Sequence, residues 1–143
     1  MASESKIFLD TNVVLDHLAD RQPFSEYAHR ILALSETGEL TLCVSALSFS
    51  HLYYLLRKLK GHETTMALLA KLERILKVSA VGEKEIQSAL SSGFKDFEDA
   101  IQYFAAKSEG GVSAIVTRNQ VDYVASDIPV FSPDEFLAKR SAP

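Results

Sequence analysis

The chain has 143 residues, 47% hydrophobic and 24% charged, enough to close one core and too few for a second. With 15 basic against 19 acidic residues the net charge is −4, which excludes gripping nucleic acid by bulk positive charge, unless carboxylates gathered around a divalent cation change the balance locally. One cysteine, Cys43, excludes a disulfide framework and a thiolate zinc site and reads as a small buried hydrophobe.

No apolar run is long enough to span a membrane, and the opening MASESK lacks the basic start and apolar core of a signal peptide, so a cytoplasmic location is expected. In chain order, residues 6–10 read as a strand that drives an apolar run into Asp10, and residues 13–18 open a helix. After the Arg21-Gln22-Pro23 break, a helix is expected over residues 25–36, with Tyr27, Ile31, Leu32 and Leu34 at helical spacing and Gly38 as its stop. Residues 40–44 form the second expected strand. Ser45 then caps a helix running through Phe49, Leu52, Tyr53 and Leu56 to Gly61, followed by another over residues 62–76.

Residues 77–81 are strand-like, residues 83–90 helical, and Gly93 precedes a helix over residues 96–109 that ends at Gly110-Gly111. Residues 113–116 have the β-branched, apolar character of a buried strand, and residues 128–131 that of the last one. Ser132-Pro133-Asp134-Glu135 then supplies a capping serine, proline at the first helical position and a glutamate three residues after the cap. The last few residues, through Pro143, are expected to fray. Strands alternating with helices, without repeat or linker, give one α/β domain over residues 1–143 with a mostly parallel sheet.

A carboxylate at the end of a buried strand is costly unless something cationic compensates it. In an open parallel sheet ligands bind beyond the carboxyl ends of the strands, and Asp10, Ser45 and Thr117-Arg118-Asn119 all fall there. The helix at Asp96 runs antiparallel to its neighbouring strands and brings its own start to the same edge. Asp10, Asp96, Asp99 and Asp122 are therefore expected to meet, and an all-oxygen set of this kind suits Mg²⁺ or Mn²⁺. The histidines, His17, His29, His51 and His62, form no HExxH or similar ligand pair and read as isolated, ordinary residues. Glu98 is expected to point to another face and stay solvated. Arg57, Lys58 and Lys60 form a basic run at a helix end, and Tyr53, Tyr54, Tyr103 and Phe104 read as core or dimer contacts.

LDTNVVLD near the start, DFEDAIQYFAA in the penultimate helix and IVTRNQVDY after the next strand resemble the motifs of the PIN domain family. These are metal-dependent ribonucleases that include many toxins of toxin–antitoxin pairs. The resemblance covers residues 6–136 in order. It implies a three-layer α/β/α sandwich, with Asp10, Asp99 and Asp122 as catalytic and metal-binding acids and Asp96 as a further metal-binding acid close by. Thr11, Asn12, Thr117 and Asn119 would be substrate-orienting or supporting groups, and by their positions Arg118 is a further candidate for contact with a phosphate and His51 for contact with metal or substrate. It also implies RNA as substrate, an antitoxin protein as a partner, and a homodimer. The family usually carries a glutamate in the helix after the second strand, where this chain has His51. That departure keeps open a second reading, a PIN-like module that binds RNA or protein without cutting. A phosphatase of the haloacid dehalogenase type also begins with an aspartate after a strand, but needs a second aspartate where this chain has Asn12.

Overall fold

Strand periodicity and helix capping together determine the layers. The computed structural model describes residues 5–141. The strands are β1 (Ser5–Leu9), β2 (Leu40–Ser45), β3 (Lys77–Ser79), β4 (Val112–Val116) and β5 (Val130–Phe131). The helices are α1 (Thr11–Leu18), α2 (Ser25–Glu36), α3 (Ala46–Lys60), α4 (His62–Ile75), α5 (Glu83–Leu90), α6 (Phe97–Glu109) and α7 (Pro133–Ser141), with a single 3₁₀ turn at Gln120–Tyr123. All pairings are parallel and the order is β3-β2-β1-β4-β5.

Side chains alternate across a strand, so each strand serves two cores. Ile7, Leu9, Leu42, Val44, Ala114 and Val116 face one layer, where Val13, Val14, Ile31, Leu32, Leu52, Leu56, Leu72 and Phe136 cover them from α1, α2, α3, α4 and α7. Phe8, Cys43 and Ile115 face the other, against Tyr103, Ala105 and Ala106 of α6 and Tyr123. Ala89 of α5 packs on Ala100 and Ile101 in the same layer. This is the three-layer sandwich, with a fully parallel rather than mostly parallel sheet. Register matches residue for residue at the centre, Phe8 beside Cys43 and Leu9 beside Val116. Cys43 is fully buried and its thiol is pushed up to about 11, chiefly by burial, which makes it an inert packing residue.

Element ends differ from the sequence expectations, each for a local reason. Asp10 is not the last residue of β1 but the N-cap of α1, its side chain accepting from the Asn12 N–H, so α1 begins two residues early. β3 stops at Ser79, whose hydroxyl turns to Glu109. β5 is only two residues long because Ser126 hydrogen-bonds to both the Ile128 carbonyl and its N–H, holding that stretch as a turn, and Pro129 has no N–H to donate. The 3₁₀ turn was not anticipated. Nor are the histidines isolated: His17 and His29 face each other at 2.7 Å between Nδ1 atoms, with Asp20 on His29, and Tyr53 bonds His62 at 2.9 Å. Fraying at Pro143 falls outside the described residues, as does most of the MASESK start. Among the described residues no helix is long and apolar enough to cross a membrane.

Candidate metal centre

The connections leaving β1 and β4 diverge to opposite faces of the sheet, which opens a crevice at their carboxyl ends. Two helices start there. Asp10 caps α1, and Asp96 caps α6 by accepting from the Asp99 N–H at 3.0 Å, so both N-terminal dipoles favour negative charge in the crevice. The result is a cleft of about 220 Å³ lined by Asp10, Thr11, Asn12, His51, Asp96, Glu98, Asp99, Gln102, Asn119 and Asp122. A larger groove of about 550 Å³ beside Phe24 and Tyr27 holds only Glu26 and Asp134 as acids, so carboxylate chemistry rather than volume singles out the smaller one.

Asp10 is 4% exposed and accepts four hydrogen bonds. Its Oδ1 accepts from the Asn12 N–H and the Gln102 amide, both at 3.2 Å, and its Oδ2 from the Thr117 hydroxyl at 2.8 Å and the Tyr123 hydroxyl at 3.1 Å. Asp99, 7% exposed, receives the same Gln102 and Tyr123 donors on Oδ1, at 3.4 Å each. Burial, then the charges of Asp10, Asp96 and Asp122, push the Asp99 carboxyl up to about 7, with the Tyr123 hydrogen bond opposing them. The Tyr123 hydroxyl is driven upward, first by burial and then by the two carboxylates, and stays a donor.

The expected residues divide cleanly by position. Asp10, Asp96, Asp99, Asp122, Thr11, Asn12, His51 and Asn119 border the cleft. Thr117 lies buried beneath it, bonded to Asp10 and receiving the Asn119 N–H at 2.9 Å. Arg118 turns away: its guanidinium forks onto buried Asp16 at 2.6 and 3.1 Å and stacks 3.9 Å from the Phe24 ring centre. Glu98 is exposed as expected but does not point elsewhere. It stands 3.6 Å from His51 on the cleft rim, because residues in a first helical turn fan around the helix start. Sequence reasoning missed Gln102 and Tyr123. The signal for Gln102 was its spacing of three from Asp99 on one helix face.

Among the described residues no three His, Cys, Asp or Glu side chains form a ready-made metal cage. Mg²⁺ does not require one, since it keeps several waters and takes one or two carboxylates. Four aspartates on one cleft, with no thiolate near, match that hard-oxygen preference.

Comparison with known proteins shows the family and the fold. The chain is 26% identical over 142 residues, 96% of each chain, to Ribonuclease VapC1 of Aquifex aeolicus. DNA-bound VapBC from Salmonella typhimurium has a similar fold, with a TM-score of 0.65 and 18% identity over 90% of this chain and 97% of that one. So does the sarcin-ricin loop cleaving toxin VapC20 of Mycobacterium tuberculosis, with a TM-score of 0.59 and 21% identity over 76% and 86%. The PIN domain family model matches residues 6–121, a span that holds the β1–α1 and α6–β4 junctions and the strands between them. By that match the chain belongs to the PIN domain family.

Proposed function

We propose that this protein is an endoribonuclease that hydrolyses RNA phosphodiester bonds with Mg²⁺ or Mn²⁺ and acts as the toxin of a toxin–antitoxin pair. The observation that carries the reading is the convergence of Asp10, Asp96, Asp99 and Asp122 on one cleft, with the Asp99 carboxyl raised by burial and by the charges of the other three acids. Relatives named as a ribonuclease and as a sarcin-ricin loop cleaving toxin support the substrate class. A solved structure of similar fold from Klebsiella pneumoniae, described as a toxin–antitoxin complex, supports the partner.

Asp10, Asp99 and Asp122 would hold the cation, with Asp96 beside them. A bound divalent ion lowers the pKa of a water and neutralises charge that develops on a phosphate. The chain's own groups do the rest. Gln102, Tyr123 and Thr117 orient the two buried carboxylates, and an ionised carboxylate of the cluster takes the proton of the attacking water. The Asn12 and Asn119 side chains on the cleft border would donate to phosphate oxygens. Arg118 is not available for that contact while it pairs with Asp16. Exposed Arg57, Lys58 and Lys60 at the end of α3 offer a path for the flanking backbone. Exposed Leu47, Tyr54 and Leu59 on the same helix leave apolar surface for a second copy or an antitoxin.

A second reading, a PIN-like binding module that does not cut, is favoured by His51 in the place of the usual acid. Cleavage of structured and unstructured RNA with Mg²⁺, Mn²⁺ or chelator decides between them. Metal-dependent cleavage that disappears in Asp99→Asn is the expected result. Binding without cleavage under every condition would select the module.

A further inference from the structure

Gln102 sits one turn into α6 and is 7% exposed, an uncommon place for a neutral amide. Its two ends do different work. Oε1 accepts from the Thr11 backbone N–H at 3.0 Å and from the Thr11 hydroxyl at 3.3 Å. That N–H belongs to the first turn of α1 and has no partner within its own helix, so it fixes the amide's orientation. The two Nε2 hydrogens must then face Asp10 and Asp99, at 3.2 and 3.4 Å. Tyr123 also reaches both acids, but Gln102 alone among the described residues ties both to the backbone of the opposite helix start.

We propose that Gln102 is a positioning residue that holds Asp10 and Asp99 in register for the divalent cation and thereby sets metal affinity. It does not take part in the chemical step. The proposal rests on the metal-dependent reading given above. With Gln102 removed, Asp99 keeps, among the described residues, only the Tyr123 hydroxyl as a side-chain donor, and the α1 and α6 starts lose this bridge between them. Groups that orient metal ligands from behind typically account for ten- to a hundredfold in affinity.

Two variants separate this role from simple filling of space or capping of Thr11. Gln102→Met keeps the volume and removes both hydrogen-bonding ends. Calorimetric Mn²⁺ titration is expected to show a Kd about ten- to a hundredfold weaker. RNA cleavage by Gln102→Met should need correspondingly more Mn²⁺ to reach half of its own maximal rate. Gln102→Glu keeps the acceptor for Thr11 but turns the donor into an acceptor facing two carboxylates. It should melt lower without metal and gain more Tm from Mn²⁺ than the unmodified protein does. Unchanged Mn²⁺ affinity in Gln102→Met overturns the proposal, and so does Gln102→Glu melting like the unmodified protein with and without Mn²⁺. If the unmodified protein itself binds no Mn²⁺, the metal-dependent reading falls, and this inference with it.

Discussion

Helix α6 carries an acid shielded from solvent near each end, Asp99 buried and Glu109 partly so, and the two live in opposite worlds. At its last residue the Glu109 side chain, 7% exposed, meets Lys6 at 3.0 Å, Lys77 at 3.6 Å and the Ser79 hydroxyl at 2.8 Å. Burial alone would raise its pKa, but the Lys6 and Ser79 hydrogen bonds and the two lysine charges bring it below the ordinary value. At the helix start Asp99 is buried more deeply, its charged neighbours are Asp10, Asp96 and Asp122, and its pKa rises to about 7. One end is complete as it stands. The other carries a repulsion that a proton or a cation would relieve, and under the proposed function that difference marks the functional end of the sheet.

Substituting each end should therefore produce opposite phenotypes. The largest effect expected is on cleavage: Asp99→Asn lowers Mg²⁺-dependent RNA hydrolysis on the order of a thousandfold or more. The same variant should melt a few degrees higher without metal at neutral pH, because it removes the repulsion. Asp16, 1% exposed and paired with Arg118, is built like Glu109 although it lies on α1 near the cleft. Asp16→Ala should cost about 3 kcal/mol and roughly 10 °C in Tm, since it strands a half-buried guanidinium. If instead it abolished cleavage with the fold intact, Asp16 would belong with Asp99.

Metal-free stability against pH separates the two ends by sign. Between the ordinary value of 3.8 and about 7 the folded protein binds more protons at Asp99 than the unfolded chain does, so that term falls as pH rises. Glu109 has the reverse sign: its contribution is present above the ordinary value of 4.5 and is lost as pH falls through the lowered folded value. Denaturation at a series of pH values should show the downward trend from pH 4 to 7 vanish in Asp99→Asn and persist in Glu109→Gln. Glu109→Gln should cost only about 1 kcal/mol and leave cleavage unchanged, since its lysines are partly solvated. Smallest of all, His51→Glu should tighten Mn²⁺ binding a few-fold at low salt, an effect that fades as salt is raised.

The acids at the cleft were legible in the sequence because each stands at an element boundary. Asp10 follows an apolar run, Asp96 and Asp99 open a helix, and Asp122 follows a short buried strand by a few residues. The alternation of strands and helices gave the layers for the same reason. What holds the acids was hidden. Gln102 looks like any polar residue in a helix, and its value comes from Thr11, 91 residues away in sequence. Tyr123 belongs to a 3₁₀ turn with no periodic signature. Arg118 sits between two cleft-side residues, Thr117 and Asn119, yet its partner, Asp16, is buried on α1. Glu98 shows the limit of face arguments in a first helical turn, where neighbouring positions share one rim.

The central claim is that the cleft end of α6 is completed by a divalent cation held on Asp99 and its neighbours. Calorimetric titration of Mn²⁺ into the metal-free protein near pH 7, beside Asp99→Asn, tests it most directly. Saturable binding accompanied by proton release, and lost in Asp99→Asn, is the predicted result. Absence of binding, or equal binding by both proteins, would contradict the account.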